Sequence, residues 1–208
     1  RPPVTLEHMY TLFHCLDLSN SFNAAVHCTI SVAFWSCCRL SELIIPSQNV
    51  FDSTHHVSHS VSITHRTTPG GAKYASFYIL WTKTMHGKGD FITISKIDDP
   101  MNPYDTLVHH ISANSAVPPS APLFAFETKS GWAPMTWMWF LTQCNNVWKS
   151  ESLETLSSHC FWIGGVTELL LRGTPPSPLS SLIQYKIHTF PLSKLPWTLM
   201  SADTDRFI

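Results

Sequence analysis

Charged side chains are scarce in this chain of 208 residues, at 13% of the sequence. That is about half of the share usual in soluble proteins. The 14 acidic residues nearly balance the 13 lysines and arginines, so the formal net charge is −1. No strong basic field indicates a nucleic-acid partner, and binding of DNA would require a local basic cleft. The apolar fraction of 44% excludes a chain that is disordered by composition.

The sequence also lacks a run of about 18 apolar residues, so no membrane span and no membrane partner are expected. Its first residues form neither a signal peptide nor a methionine start, which predicts a fragment or the product of a degraded gene. None of the six cysteines has Cys-x-x-Cys spacing, and most lie in apolar helical patterns. We therefore expect reduced, buried cysteines in an intracellular protein.

Periodicity and turn residues predict helices on both sides of a set of strands. Thr5 caps a first helix, and a longer helix is predicted from Phe22 to Ile45, where Pro46 ends it. Three strand-like stretches follow: Val57 to His65, Tyr74 to Trp81 and Phe91 to Ile97. The pattern predicts a small antiparallel sheet between two helical halves.

The second helical half has clearer boundaries. A short helix is predicted from Pro103 to Ser112, and Thr136 caps an amphipathic helix. The apolar stripe of that helix consists of Phe140, Leu141, Cys144, Val147 and Trp148. A last helix begins at His159 after a serine cap and ends at Gly173, before two prolines. Beyond residue 177, scattered prolines allow only short helices.

Two distant segments combine apolar helical patterns with isolated polar residues. The first, Trp35 to Pro46, places a lone arginine, Arg39, in a predicted helix that is apolar on nearly every face. Arginine is rarely buried unless it is paired or functional. The second segment begins His159-Cys-Phe-Trp162-Ile-Gly-Gly. Both segments are therefore candidate sites.

Together the two segments resemble the arginine helix and the His-x-x-Arg helix of tyrosine recombinases. The likeness is closest to the recombinases of fungal mobile elements, in which the second segment reads much like His-Ser-Phe-Arg-Ile-Gly-Gly. The resemblance implies a mainly helical α+β catalytic domain with a small three-stranded antiparallel sheet over residues 1–176. Residues 177–208 are then the degraded C-terminal segment of the same domain. Further landmarks in the family's order include Leu80-Trp-Thr-Lys83-Thr, Asp98-Asp-Pro100 and Leu123-Phe-Ala125.

The resemblance also implies a reaction. Such enzymes attack a DNA phosphodiester with a tyrosine hydroxyl and form a covalent 3′-phosphotyrosyl intermediate. Two arginine forks stabilise the negative charge of the transition state, while a lysine and histidines assist proton transfer. No metal and no organic cofactor is needed, because the arginines supply the charge stabilisation that a metal would otherwise provide.

The family's site residues transfer one by one onto this sequence. Arg39 matches the first arginine, and Glu42 matches the acidic residue that follows it. Lys83, after the second predicted strand, matches the hairpin lysine. His159 matches the histidine of the second motif. Arg39, Lys83 and His159 are thus the catalytic and DNA-binding residues that the resemblance implies, and they should converge on one cleft.

Two residues that this reaction requires, the second arginine and the nucleophilic tyrosine, have no clear counterpart in the sequence. Trp162 stands where the second arginine belongs. Counted without gaps from Gly173, Tyr185 falls where the family has Trp or His, and Ser193 falls where it has the nucleophile. No tyrosine follows Tyr185, and serine lacks the lower pKa of a phenol. We therefore expect a domain that is catalytically impaired or inactive.

The ancestry makes DNA the expected partner, with self-association on DNA, and the nucleus or another intracellular compartment the expected location. The main alternative is a structural or protein-interaction remnant that does not contact DNA, which the near-neutral charge favours. A histidine-rich metal protein is a third reading. The histidines concerned lie in a serine-rich loop and on both faces of a weak strand, which does not favour a metal site. They are His55, His56, His59 and His65.

Each candidate residue also has a plain structural reading. Arg39 is also consistent with a helix arginine that reaches the surface or pairs with Glu42. Lys83 is consistent with a solvated lysine at a sheet edge, and His159 with an ordinary residue at the start of a helix. The tryptophans flanking the amphipathic helix suggest core packing rather than base stacking: Trp137, Trp139 and Trp148.

Overall fold

The computed structural model of the protein describes residues 2–82 and 89–174. Its helices are α1 (Leu6–Cys15), α2 (Ser21–Trp35), α3 (Leu40–Leu43), α4 (Pro103–Ala113), α5 (Trp137–Ser150) and α6 (His159–Leu171). Its strands are β1 (Thr64–Thr67), β2 (Lys73–Ile79), β3 (Asp90–Ser95), β4 (Phe126–Thr128) and β5 (Gly131–Ala133). The predicted α+β fold, mainly helical with a three-stranded antiparallel sheet, is confirmed. The degraded segment predicted at 177–208 lies outside the described residues.

Helix α2 is the centre of the molecule. Every residue from Ala24 to Phe34 is buried, as expected for a helix that is apolar on all sides. Helices α1, α4, α5 and α6 all pack against it. Within this core, Thr29 donates its hydroxyl to the Ala25 carbonyl at 2.8 Å. The His27 ring lies 3.0 Å from the Met101 sulfur. The core therefore surrounds one helix, and the neighbours of that helix are positioned by it.

The helix predicted from Phe22 to Ile45 is wrong, because α2 ends at Trp35. Cys37 takes a left-handed conformation, with φ of 49°. Its backbone N–H donates to the Phe34 carbonyl at 3.2 Å, and the N–H of Cys38 donates to that of Ala33 at 3.0 Å. These two bonds form a Schellman motif, which usually contains glycine. Since the sequence has a cysteine at that position, no local signal predicted the break.

The central sheet has the order β1-β2-β3, and both pairings are antiparallel. Strands β2 and β3 agree with the predicted stretches, but the first strand is Thr64–Thr67 rather than Val57–His65. Val57 and His59 instead bond to the loop before β4, through Leu123 N–H to Val57 carbonyl (2.9 Å) and His59 N–H to Ala121 carbonyl (2.7 Å). The inner face of the sheet contributes Ala75, Phe77, Ile79, Ile92 and Ile94 to the core.

A second hairpin, β4-β5, precedes α5 and was not predicted, because each of its strands is only three residues long. Helix α5 begins after Thr136, whose side chain accepts a hydrogen bond from the Trp139 N–H, as predicted. Its buried side chains are Phe140, Cys144 and Trp148, which belong to the predicted stripe. The amphipathic pattern therefore identified both the start of α5 and the face that it buries.

The cysteines and the clustered histidines occupy ordinary positions. All cysteines except Cys15 are buried. His55 contacts Asp52 at 2.8 Å, and His65 contacts the Tyr104 hydroxyl at 3.1 Å. Across residues 2–82 and 89–174, no group of three or more metal-ligating side chains could hold a metal ion. No helix within those same ranges has the length and apolar character to cross a membrane.

Acid should destabilise this fold through two buried histidines. Burial lowers the pKa of His27 and of His110 from 6.5 to about 4. His110 is neutral, because its Nε2–H donates to the Leu123 carbonyl (2.9 Å) and its Nδ1 accepts from the Asn114 amide (3.0 Å). Between pH 6.5 and 4 the unfolded chain binds protons that the folded chain excludes. The contribution of these histidines to the free energy of unfolding is therefore fully present above pH 6.5 and is lost as the pH falls toward 4.

We predict that each of these histidines contributes a slope of about 1.4 kcal/mol per pH unit to the free energy of unfolding. Chemical denaturation at a series of pH values between neutrality and mild acid measures the slope. His110→Gln should lower the total slope by the contribution of this one histidine, about 1.4 kcal/mol per pH unit. His14→Gln, at an exposed position, should leave it unchanged. Equal slopes in the wild type and His110→Gln would contradict this account.

Candidate nucleic-acid interface

Arg39 lies at the N-terminus of α3, not inside a helix. Its backbone N–H donates to Oε2 of Glu42 at 2.9 Å, and its guanidinium Nη1 donates to Oε1 of the same carboxylate at 3.3 Å. The Glu42 side chain is 1% exposed and that of Arg39 is 20% exposed. The buried carboxylate therefore holds both the backbone and the charged end of an arginine that still reaches solvent.

A cleft of about 130 Å³ opens beside Arg39. Three elements form it: the start of α3, the first residue of α5 and the start of α6. The structure thus brings Arg39 and His159 together, although they are far apart in sequence. The residues that line the cleft are Arg39, Leu40, Ser41, Trp137, Ser158, His159 and Trp162.

The two glycines of the second motif allow α6 to reach this position. A Cβ on Gly165 would overlap the Phe34 carbonyl oxygen at the end of α2, and a Cβ on Gly164 would overlap the Val4 carbonyl oxygen. The N–H of Val4 donates to the Cys160 carbonyl at 3.0 Å. Backbone therefore packs directly on backbone, and any larger residue would push α6 away from α2.

The far end of α6 is held by a cluster that the sequence did not reveal. Arg172 donates through Nε to Glu168 (2.7 Å) and through Nη2 to Asp99 (3.3 Å). Its guanidinium carbon lies 4.5 Å from the centre of the Trp35 ring. Tyr10 donates to the same Asp99 carboxylate at 3.0 Å, and burial together with this bond raises the pKa of Tyr10. Helix α6 is therefore fixed at both ends.

Trp162 forms an apolar wall where the resemblance places a second arginine. It is 7% exposed, and its ring centre lies 5.9 Å from that of His159. Its indole N–H is buried and has no hydrogen-bond partner in the part of the chain that the structure describes. The tryptophan contributes no charge to the cleft, so Arg39 is the one guanidinium among the residues that line it.

Helix α6 begins at the cleft with His159, and Ser158 precedes it in the capping position. The predicted serine cap is only partly right, because the Ser158 side chain makes no capping hydrogen bond. The positive end of the α6 dipole adds to the charge of Arg39 at this place. An arginine, a histidine and a helix N-terminus together favour an anion, and the nearby Glu42 carboxylate limits the net positive charge.

Three residues that the resemblance implies for catalysis lie outside the described residues, so the structure places none of them. They are Lys83, Tyr185 and Ser193.

Trp137 is the cleft residue whose position was predicted wrongly. The sequence indicated a core residue, as Trp148 is, but Trp137 is 36% exposed. It is the first residue of α5, and its indole N–H donates to the Ile44 carbonyl at 3.0 Å. Helical periodicity gives little information at the first position of a helix, because the chain has not yet turned onto a defined face.

A substitution at Gly165 tests how α6 is positioned. Gly165→Ala should lower the free energy of unfolding by about 3 kcal/mol, because the new methyl group meets backbone that cannot move aside. Chemical denaturation measures the loss. Gly70→Ala is the matched control, since its nearest neighbour would be a side-chain atom at 3.9 Å. Equal stabilities of the two variants would show that α6 does not pack as described.

Comparisons with known proteins identify solved structures with a similar architecture. No protein-family model matches the chain, and no curated protein matches it. The structure is similar to the FLP recombinase–Holliday junction complex I, with a TM-score of 0.54 and 11% identity over 97% of this chain and 46% of that one. For the Flpe–Holliday junction complex the TM-score is 0.55 and the identity 13%, over 94% and 48%.

A mutant Flpe–DNA Holliday junction complex gives a TM-score of 0.51 and 12% identity, over 81% of this chain and 39% of that one. The chain therefore spans less than half of the length of these recombinases. At such low identities the similarity is one of fold. The protein has a tyrosine-recombinase-like fold.

Proposed function

We propose that this protein is a DNA-binding domain descended from a tyrosine recombinase, and that it no longer breaks and rejoins DNA. The observation that carries the proposal is the meeting of Arg39 and His159 at one cleft, in a fold whose solved neighbours are Holliday junction complexes. The ligand of the cleft is a backbone phosphate. Phosphate contacts supply most of the affinity of proteins for DNA without reading its sequence.

The chemistry of phosphate binding fits the residues of the cleft. A guanidinium is planar and permanently charged, and its fork of donors matches two phosphate oxygens. The contact with Glu42 orients this fork before any ligand arrives. His159 and the N-terminus of α6 provide further donors toward an anion. The cleft therefore offers one strong phosphate contact and weaker support around it.

The proposed loss of catalysis follows from the catalytic residues that are replaced. Trp162 supplies no charge where a second arginine would stabilise the transition state. Removing one such donor typically costs roughly 10²–10³ in rate. Ser193 falls where the family has the nucleophile, and a serine hydroxyl is a far weaker nucleophile at neutral pH. We include in the proposal an origin in a fungal mobile element, a nuclear location and self-association on DNA.

The competing proposal is a structural or protein-interaction remnant. The observation that favours it is the Arg39–Glu42 ion pair, which already compensates the arginine, in a chain with a net charge of −1. The two proposals differ in their response to salt. Binding to duplex DNA through phosphates weakens steeply as salt rises, whereas a remnant without DNA contacts shows no binding even at low salt.

Arg39→Ala should weaken binding of the protein to duplex DNA about 10-fold and reduce the salt slope by about 1, since one phosphate contact is lost. Fluorescence anisotropy at several salt concentrations measures both quantities. Lys149→Ala is the charge-matched control, because Lys149 lies near the end of α5 opposite to the cleft. An identical affinity for Arg39→Ala and the wild type would refute binding at this cleft.

Incubation with a nicked suicide DNA substrate should yield no covalent protein–DNA adduct. Trp162→Arg alone should not create one, because restored charge does not supply a nucleophile. Denaturing gel electrophoresis with labelled DNA detects the adduct. An adduct that Tyr185→Phe abolishes would show that the protein is an active recombinase with a displaced nucleophile.

A further inference from the structure

Trp137 combines three properties that a simple phosphate site does not require. It lines the cleft together with Arg39, it is 36% exposed, and its indole N–H is already bonded within the protein. A large apolar side chain at the surface beside a charged group is typical of binding sites. A phosphate would use the guanidinium but would gain nothing from an indole surface.

The indole is held rigidly with respect to Arg39. Its Nε1–H donates to the Ile44 carbonyl at 3.0 Å, and the Trp137 backbone N–H donates to the Ile45 carbonyl at 3.1 Å. Ile44 and Ile45 directly follow α3, and Arg39 directly precedes it. One short segment therefore positions both the ring and the guanidinium. A pre-positioned ring loses little conformational entropy when a ligand stacks on it.

The hydrogen bond to Ile44 also limits what the indole can recognise. Its single donor is already used, so the ring can contribute only its faces and edges. Aromatic faces stack on any nucleobase, and such stacking is tolerant of sequence. In an intact duplex, however, the faces of the bases are covered by their neighbours. Only a base next to a gap, a nick or a single-stranded end exposes a face.

We propose that the cleft binds an unstacked nucleotide, with Arg39 on a phosphate and Trp137 stacked on the neighbouring base. The protein then prefers DNA that carries a single-stranded gap over intact duplex DNA, a preference that rests on the proposed binding of phosphate at Arg39. The substrate class is therefore interrupted or single-stranded DNA.

Anisotropy titrations of the full chain test this preference, with labelled intact duplex, a gapped duplex of the same sequence and the corresponding single strand. The wild type should bind the gapped duplex at least 10-fold more tightly than the intact one, as expected for one stacked base. Trp137→Ala should bring this ratio close to 1, because the stacking surface is lost. Trp137→Phe should keep part of the ratio, because it retains an aromatic face.

Trp132→Ala is the matched control, since Trp132 is 42% exposed on β5 and does not line the cleft. It should keep the full ratio, whereas Arg39→Ala should weaken binding of both duplexes equally. A wild-type ratio near 1, or a ratio unchanged in Trp137→Ala, overturns the preference while leaving phosphate binding intact. A Trp137→Ala variant that melts earlier yet keeps the ratio assigns the ring to packing and also overturns it. Failure to bind any of the DNAs overturns the proposed function itself.

Discussion

The close contact between α6 and the end of α2 is the constraint on which the cleft depends. Gly164 and Gly165 bring the backbone of α6 against the carbonyls of Val4 and Phe34, at a separation that no side chain permits. The Schellman motif then turns the chain immediately after α2, so that Arg39 emerges beside the start of α6. A larger residue at either glycine would push the start of α6, with His159, away from its position beside Arg39.

Electrostatics within that cleft are balanced rather than strongly positive. A carboxylate that is 1% exposed is costly to bury, and its bonds to the Arg39 backbone and guanidinium offset this cost. The same bonds fix the arginine in place and reduce its field. Since Trp162 is buried and uncharged, it contributes packing but no charge to the cleft.

The aromatic side chains give the cleft a second kind of chemistry. Trp137 and Trp162 both line it, but they differ in exposure: Trp162 is almost fully buried, while Trp137 is partly exposed. One indole therefore shapes the cleft and the other is available to a ligand. The tyrosine-recombinase-like fold explains why these elements meet, while the chemistry of the cleft depends on the side chains that line it.

The sequence by itself determined most of the helices, two of the three central strands and the order of these elements, because caps, turns and periodicity are short-range signals. Thr136 and the stripe of α5, and the strands β2 and β3, were predicted on that basis. The resemblance to a known family predicted that Arg39 and His159 would share one cleft.

The break after Trp35 was missed, since Cys37 stands where such a turn usually has glycine. Pairing of Arg39 with Glu42 was a reading that the sequence left open, but only the tertiary structure decided the burial of Glu42 and the exposure of Trp137. Both depend on which distant backbone lies nearby, and no local pattern of residues encodes that neighbour.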